Sequence, residues 1–351
     1  MADIDVQRAE RRRRVFTEQE SRRNRKQEVY DAIHAVSIKQ DNLQIIREPI
    51  VCNEEAMDWE PTEPDFDDND DPDMCGEYCK EIFRNEKKRE DTWVLSTRLS
   101  DKKTKLRVSC IDWLTEVCTT WKLATDTLFV AVLYLEKALS SLDYTLDDMQ
   151  AISGTCLFLA AKMEEVQAIP IRDIVEIAPG TSVPIIKAYE KQILTALNYQ
   201  MVTPHLMLFV RRFNSIAGAD LETHNLSKYL ATLVLRHQGH CSGLQSVLGA
   251  AVCFMARRIM GKTELEAWPI RQTTYSRYTL EEIKTAVYFV SHTLSNANRH
   301  AELHRNNPNK LPTAYNVFNQ RKFHHISSKP IMRQTFVETY SLLNTLAVES
   351  T

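Results

Sequence analysis

The chain has 351 residues, of which 43% are hydrophobic and 26% are charged, and its formal net charge is -3. This length allows two domains of ordinary size plus tails. The nearly balanced charge excludes the strong overall field that is typical of nucleic-acid-binding proteins.

The composition also favours a fold class and a compartment. The chain contains only eight glycines, and its many Leu, Ala and Glu residues are typical of an all-α protein. No apolar stretch reaches membrane-spanning length, and the N-terminus lacks a secretory pattern. The eight cysteines form no CxxC pair and are interpreted as free thiols in a reducing compartment. We therefore expect a protein of the nucleus and cytoplasm.

Residues 1–73 differ in composition from the rest of the chain. A basic block lies between Arg11 and Lys26, whereas no Lys or Arg occurs between Glu48 and Cys79, where aspartates accumulate. Segregated charge with few apolar residues cannot bury a core, so we predict a disordered tail. The basic block is interpreted either as a nuclear-import signal or as a solvated run of charge, and the sequence leaves both open.

Helical patterns begin after this tail. Residues 74–100 are predicted to hold a short helix and a linker, with Tyr78, Ile82 and Phe83 on one stripe. Nine further segments show the apolar spacing or the capping signals of helices. They are predicted over residues 101–122, 126–140, 146–164, 170–177, 183–198, 204–216, 223–237, 242–260 and 279–297.

Two of these predicted helices repeat each other. Gly154 aligns with Gly249 at an offset of 95 residues, and their apolar neighbours align with them. A glycine inside a helix costs about 1 kcal/mol relative to alanine, so two glycines at matching places indicate a shared need for close helix packing. We predict two similar α-helical domains, over residues 101–200 and 201–300, and a C-terminal extension over 301–351.

Three motifs in order carry a resemblance to a known family. Residues 106–117, LRVSCIDWLTEV, resemble the opening of the cyclin box. Residues 159–165, LAAKMEE, resemble its L-A-S-K-F-E-E run, and Tyr189-Glu190 with the following LTALNY resembles its last helix. The chain is identified as a member of the cyclin family over about residues 77–330.

Two motifs near the C-terminus refine the resemblance. Trp268-Pro269 and residues 319–327, NQRKFHHIS, resemble the A-type cyclins of the cell cycle, with the B-type close behind. The resemblance implies two tandem five-helix cyclin boxes preceded by a short N-terminal helix. It also implies a non-catalytic subunit that binds and activates a cyclin-dependent serine/threonine kinase in S phase or mitosis.

The resemblance assigns a kinase-binding role to four residues. Lys162 and Glu190 are expected to face the kinase, with Glu164 and Glu165 beside the lysine. The residues alone favour a different interpretation, an ordinary salt bridge between two helices. In the second repeat Arg257 replaces the lysine but apolar residues replace the two glutamates, so we expect only the first box to bind the kinase.

The resemblance also implies a patch on the first box that docks R-x-L peptides of substrates or inhibitors. Ser109 and Cys110 stand where the family has Ile and Leu. At about 0.8 kcal/mol per lost methylene, this change predicts docking weakened by roughly 1–3 kcal/mol. The patch maps onto Leu106, Ser109, Cys110, Trp113, Glu116 and Gln150.

Three charged residues of the first box are expected to be structural. A charged group that faces a core needs a partner, because an unpaired buried charge is costly. The resemblance suggests that Arg107, Asp112 and Glu136 form a buried ion-pair network that holds the first box together.

Other chemistry is weakly supported. There is no catalytic constellation and no Gly-rich phosphate loop, so no cofactor is expected. Two groups of residues could suggest a zinc site, namely Cys75 with Cys79, and His237 with His240 and Cys241. No set of four ligands has the spacing of a metal site, so no metal is predicted.

Two alternatives to a cell-cycle cyclin stay open. They are a transcriptional cyclin and a two-box transcription adaptor that binds nucleic acid. The adaptor would need a basic face across the two domains. The basic residues of the second domain usually form only a solvated face, so we expect neither a nucleic-acid nor a membrane partner. The basic residues of the second domain that raise it are Arg211, Arg212, Arg236, Arg257, Arg258 and Lys262.

Overall fold

A computed structural model of the chain describes residues 78–95, 99–304, 307, 311–330 and 332. Within these residues the secondary structure is helical throughout, and no strand occurs, as the all-α prediction requires. The predicted disordered tail, residues 1–73, lies outside the described residues.

Six helices make up the N-terminal half. The first, α1, precedes the first box, and α2 to α6 form that box. Their bounds are α1 Cys79–Glu90, α2 Asp101–Thr120, α3 Thr125–Ser141, α4 Met149–Glu164, α5 Ile171–Ile177 and α6 Val183–Ala196.

The second half repeats this arrangement and ends in a short extension. Two short helices, α10 and α11, occupy the place that α5 has in the first box, and the sequence patterns had not predicted them. The bounds are α7 Leu206–Ile216, α8 Leu221–Leu235, α9 Gln245–Ile259, α10 Glu264–Ala267, α11 Ile270–Ser276, α12 Leu280–Leu303 and α13 Thr313–Phe318.

Side-chain hydrogen bonds fix where α12 and α4 begin, and the bonding pattern differs between the two helices. At α12 a capping box forms, since Glu282 Oε2 accepts from Thr279 N at 2.7 Å and Thr279 Oγ1 accepts from Glu282 N at 3.4 Å. Before α4, Asp148 Oδ2 accepts from Thr145 N at 2.9 Å and from Thr145 Oγ1. This local turn delays α4 to Met149, three residues after the predicted start.

Each box is built around one buried central helix, α4 or α9. A Cβ on Gly154 would lie 3.1 Å from Ile174 Cγ2 and 3.7 Å from the Trp113 ring. A Cβ on Gly249 would lie 2.9 Å from Phe209 Cβ, and α7, which carries Phe209, is the counterpart of α2. The repeated glycines therefore allow the close packing that their alignment predicts.

The N-terminal helix α1 packs on the second box. Phe83 is 4% exposed, and its ring lies 5.9 Å from Phe209 and 5.0 Å from Tyr275. The predicted stripe was wrong in part, because Tyr78 and Ile82 are 56% and 46% exposed. When Phe83 packs into the aromatic cluster, the same helix face does not also bury Tyr78 and Ile82.

A buried carboxylate fixes the other end of α1. Glu90 is 2% exposed and accepts hydrogen bonds from Ser246 N at 2.9 Å and Ser246 Oγ at 2.8 Å. The first amide groups of a helix lack partners within it, so Glu90 caps α9 from another element. Close by, Leu95 N donates to Cys241 O at 2.7 Å. Residues 78–95 are thus part of the second box's packing.

The described part of the C-terminal extension returns to both boxes. Helix α13 packs between α2 and α8, burying Ala314, Val317 and Phe318. Farther along, Lys329 pairs with Glu222 at the start of α8. The extension is therefore a clamp across the two boxes.

Truncating Phe83 tests this attachment. We expect Phe83→Ala to lower the free energy of unfolding by about 3–5 kcal/mol, because it leaves a cavity among aromatic rings. Ile82→Ala is the matched control on the same helix, and its exposed side chain should change stability by less than about 1 kcal/mol. Urea denaturation of both variants measures the difference, and equal losses would contradict the packing described.

Candidate functional site

The end of α4 and the middle of α6 bring Lys162 and Glu190 together. Lys162 Nζ lies 2.5 Å from Glu190 Oε1, and the two side chains are 40% and 21% exposed. The ammonium also lies 4.0 Å from the centre of the Phe158 ring, a cation–π arrangement. The two residues that the motifs singled out thus form one surface ion pair between helices.

Exposed apolar side chains follow both partners of this pair along the chain. Met163 and Val166 come after Lys162, and Tyr199 and Val202 come after the helix that carries Glu190. They are 44%, 106%, 67% and 52% exposed, respectively. Large exposed apolar groups are typical of an interaction site. We call the ion pair and these four residues the box-one surface.

The backbone at the end of α6 presents Tyr199. Asn198 and Tyr199 both have positive φ, 49° and 57°, and Tyr199 N donates to Leu194 O at 2.9 Å. This bond closes the helix end as in a Schellman turn. Positive φ is unfavourable for a residue with a side chain. The sequence patterns had not indicated this strained backbone at Asn198 and Tyr199.

The two glutamates beside Lys162 have different positions. Glu164 is exposed, and partial burial, followed by the nearby Asp126 carboxylate, raises its pKa. Glu165 instead turns inward, and its Oε1 accepts from Ala124 N at 2.7 Å and from Thr127 Oγ1 at 2.6 Å. Glu165 therefore caps the start of α3, and its expected place at a kinase-facing surface stays a prediction.

The predicted docking patch lies along α2 and the start of α4. Its members are half-buried with one exception, since Cys110 is 8% exposed and directs its thiol toward Met149 O at 3.8 Å. Ser109 Oγ donates to Lys105 O on its own helix at 3.2 Å. The half-buried members are Leu106, Ser109, Trp113, Glu116 and Gln150. The docking role of the patch, with Cys110 as its most buried member, stays a prediction.

The buried ion pair joins the two boxes. Arg107 is fully buried against Glu136, and its NH1 and NH2 groups donate to Arg236 O and Leu235 O, each at 2.9 Å. Both carbonyls lie at the end of α8, where intrahelical partners are missing. The expected role within the first box alone therefore needs correction.

Asp112 does not belong to the Arg107 pair. It pairs with Arg236 of the second box, with 3.0 Å between Arg236 Nε and Asp112 Oδ1. Burial raises the pKa of the Asp112 carboxyl, and the Arg236 guanidinium opposes that rise. Asp112 thus forms a second bridge between the boxes, beside the first.

The residues that raised zinc binding are arranged around Arg107 instead. His240 Nδ1 lies 3.2 Å from Arg107 NH2, and His240 Nε2 lies 3.1 Å from Cys241 Sγ. Cys75 lies outside the described residues. Where the structure describes the chain, no group of three or more His, Cys, Asp or Glu side chains is placed to hold a metal ion.

The basic residues of the second box have partners in the fold. Arg211 pairs with Asp126 and Arg236 with Asp112. Arg257 and Arg258 donate to backbone carbonyl oxygens of the second box, and Arg212 donates to Tyr275. Five of the six basic residues thus contact acceptors within the fold. Among the described helices, none is long and apolar enough to cross a membrane.

Comparison with known proteins identifies the family. The description "Cyclin, N-terminal domain" matches residues 79–202, and "Cyclin, C-terminal domain" matches residues 204–332, together more than half of the chain. The chain belongs to the cyclin family. The boundary between the two matches coincides with the gap between α6 and α7, so the two-box fold is confirmed.

Relatives of this cyclin are named as both B-type and A-type cyclins. The G2/mitotic-specific cyclin-B of Emericella nidulans is 34% identical over 224 residues, which are 62% of this chain and 46% of that protein. Cyclin-A3-1 of Arabidopsis thaliana is 30% identical over 234 residues, 63% of this chain and 65% of that protein. The resemblance to the A/B group is confirmed, and the preference for the A-type within it stays a prediction.

Solved structures show the same fold. A viral cyclin from herpesvirus saimiri superposes with a TM-score of 0.51 at 15% identity, covering 60% of this chain and 97% of that chain.

The chain matches only part of the length of its sequence relatives. It spans 46%, 56% and 52% of the cyclins-B of Emericella nidulans, Arbacia punctulata and Dictyostelium discoideum, about half of their length.

The buried histidine beside Arg107 makes a testable contribution to stability. Burial first, and then the Arg107 guanidinium, lower the pKa of His240 to about 3 from an ordinary 6.5. A histidine that is neutral when folded contributes stability that is complete above pH 6.5 and is lost as the pH falls toward the folded pKa.

We expect His240→Gln to flatten the pH dependence of unfolding. Between pH 6.5 and pH 5, wild-type stability should fall more steeply than that of the variant, by about 1.4 kcal/mol per pH unit. Urea denaturation at several pH values measures both slopes, and carboxylate titrations are common to both proteins. Identical slopes would show that His240 is not held neutral.

Proposed function

We propose that this cyclin binds and activates a cyclin-dependent serine/threonine kinase in cell-cycle control and supplies no catalytic group itself. The observation that carries the proposal is the box-one surface, an exposed ion pair accompanied by exposed apolar side chains. The relatives' G2/mitotic-specific names support the cell-cycle setting.

The chemistry of the box-one surface suits a protein partner. The Lys162 ammonium has three donors and the Glu190 carboxylate only acceptors, so together they can bind both kinds of main-chain group. A surface ion pair contributes only about 0–1 kcal/mol to folding, so re-pairing with a kinase costs the fold little. Met163, Val166 and Tyr199 supply the apolar area that association requires.

Activation follows from differential affinity. An active kinase pairs a glutamate of its αC helix with the lysine that holds ATP and displaces its activation loop. A rigid helical surface that fits this arrangement better than the inactive one shifts the population toward the active state. The cyclin acts by shape and binding free energy, and all of the bond chemistry belongs to the kinase.

In the second box, the residue that aligns with Lys162 is engaged within the fold. Arg257, which aligns with Lys162, donates to Ala217 O at 2.9 Å and to Glu266 O at 2.7 Å. Its guanidinium therefore fastens α10 to the end of α7. The cation that aligns with Lys162 is thus used within its own box, which supports binding of the kinase by the first box alone.

A double substitution tests the box-one surface. Lys162→Ala with Glu190→Ala should abolish association with the cyclin-dependent kinase that copurifies with the wild-type chain and its histone kinase activity. Binding is measured by co-precipitation and by calorimetry with the purified kinase. The expected loss of affinity is at least 100-fold, about 2.7 kcal/mol, because charged hot-spot pairs near the centre of an interface have effects of this size.

A matched pair elsewhere serves as the control. Lys284 and Glu281 form an exposed ion pair on α12, with 3.2 Å between Nζ and Oε1. Replacing both by alanine should leave kinase binding unchanged and lower stability no more than the first double variant does. Undiminished binding of the Lys162/Glu190 variant, with both proteins folded, would overturn the site assignment.

We propose that R-x-L docking is weakened by the small residue at position 109. Ser109 lies half-exposed on α2, whereas Cys110 is covered. Ser109→Ile should strengthen binding of an R-x-L peptide about 15–60-fold, because two or three further carbon atoms are buried at about 0.8 kcal/mol each. Fluorescence polarisation with a labelled peptide measures this gain.

The position of the added side chain supplies the control for that experiment. Ser140→Ile makes the same change at an exposed position near the end of α3, outside the patch, and should not change peptide affinity. A peptide that binds the wild type as tightly as the Ser109→Ile variant would show that the patch is not limited by Ser109.

A further inference from the structure

Helix α3 begins without a capping side chain of its own. The residue at its N-cap is Ala124, which makes no side-chain hydrogen bond there. Backbone amides at the start of a helix lack partners within it. Glu165 supplies an acceptor, since its Oε1 lies 2.7 Å from Ala124 N and 2.6 Å from Thr127 Oγ1. The start of α3 is therefore completed by a residue 41 positions farther along the chain.

The same contact anchors the loop that follows α4. Glu165 is the first residue after α4, and its own amide donates to Ala161 O at 3.1 Å. At the far end of the loop Ile169 is buried, whereas residues 166–168 between the two anchors are exposed. The loop is thus short and held at both ends, and its exposed part follows directly on Glu165.

The exposed part begins with an apolar side chain. Val166 is 106% exposed, so it contributes no burial to the fold. It stands four residues after Lys162 and three after Met163, which is 44% exposed. Apolar area of this kind lowers the free energy only when a partner removes it from water. Val166 is therefore a contact that the box-one surface offers to a partner.

We propose that Glu165 is a positioning residue for the kinase contact, holding the loop in the arrangement in which Val166 packs on an apolar surface of the kinase. This inference rests on the proposed function of the box-one surface. Glu165 acts through its hydrogen bonds to Ala124 and Thr127 and not through a charge contact with the kinase. Thr127 is 0% exposed, so its part in binding is exerted entirely from inside the fold.

A pair of substitutions at Glu165 separates positioning from charge. Glu165→Ala removes the acceptor, and we expect it to weaken kinase binding about tenfold. Glu165→Gln should recover most of that loss, because its amide oxygen accepts from the same two donors. Calorimetry with the purified kinase that copurifies with the wild-type chain measures both. A glutamine variant as weak as the alanine variant would show that the charge itself contacts the kinase and would overturn the positioning role.

The buried partner of Glu165 gives an independent test. Thr127→Val removes the hydroxyl donor and keeps the branched shape of the side chain. It should weaken kinase binding at least threefold although the side chain is out of reach of any partner. Thr127→Ser keeps the hydroxyl and should restore the affinity. Equal affinity of the valine variant and the wild type would contradict the proposal.

A double-mutant cycle tests whether Glu165 acts through Val166. Val166→Ala alone should weaken binding about tenfold, because two methyl groups no longer reach the kinase. Val166→Ala combined with Glu165→Ala should also be about tenfold weaker than the wild type, since the second change removes nothing further. A hundredfold loss, the product of the single effects, would show that the two residues act independently.

The Lys162→Ala, Glu190→Ala variant separates this inference from the proposed function. Loss of binding in that variant, with equal affinities of the two Glu165 variants, would leave the proposed function standing and refute the positioning role. Undiminished binding in that variant would place the kinase contact elsewhere and refute both. Circular dichroism of every variant checks that the helices are retained.

Discussion

The buried guanidinium of Arg107 is the interaction on which the arrangement of the two boxes depends. Glu136 balances its charge within the first box, and its other N–H groups reach the terminal carbonyls of α8 in the second. Those carbonyls have no helical partners and carry partial negative charge. Breaking a buried ion pair by removing one partner costs about 3–5 kcal/mol. Because Arg107 contacts both boxes, it links the stability of the second box to that of the first, which presents Lys162 and Glu190.

Local patterns predicted most of the helices, because apolar spacing and capping residues act within one element. All nine longer segments are helical, and the glycine repeat marks the two central helices. The patterns missed α10, α11 and α13, which are too short to show a period. They also misjudged α1, because the burial of Phe83 rather than Tyr78 depends on an aromatic cluster more than 120 residues away.

The motifs predicted a site at Lys162 and Glu190 but did not specify the contacts of the residues around it. Lys162 and Glu190 lie together, but Glu165 turns back to cap α3, and Cys110 points into α4. Asp112 found its partner, Arg236, 124 residues away. Such contacts follow from tertiary packing, which a motif of seven to twelve residues does not specify. The tandem positive φ values at Asn198 and Tyr199 likewise arise only in the folded chain.

The central claim is that a cyclin-dependent kinase binds the first box around Lys162 and Glu190. Hydrogen exchange of the full chain, alone and bound to such a kinase, tests it most directly. The account predicts slowed exchange confined to the end of α4, the following loop and the residues from α6 to Val202, with α9 to α11 unchanged. Slowed exchange in the second box, with none at α4 and α6, would contradict it.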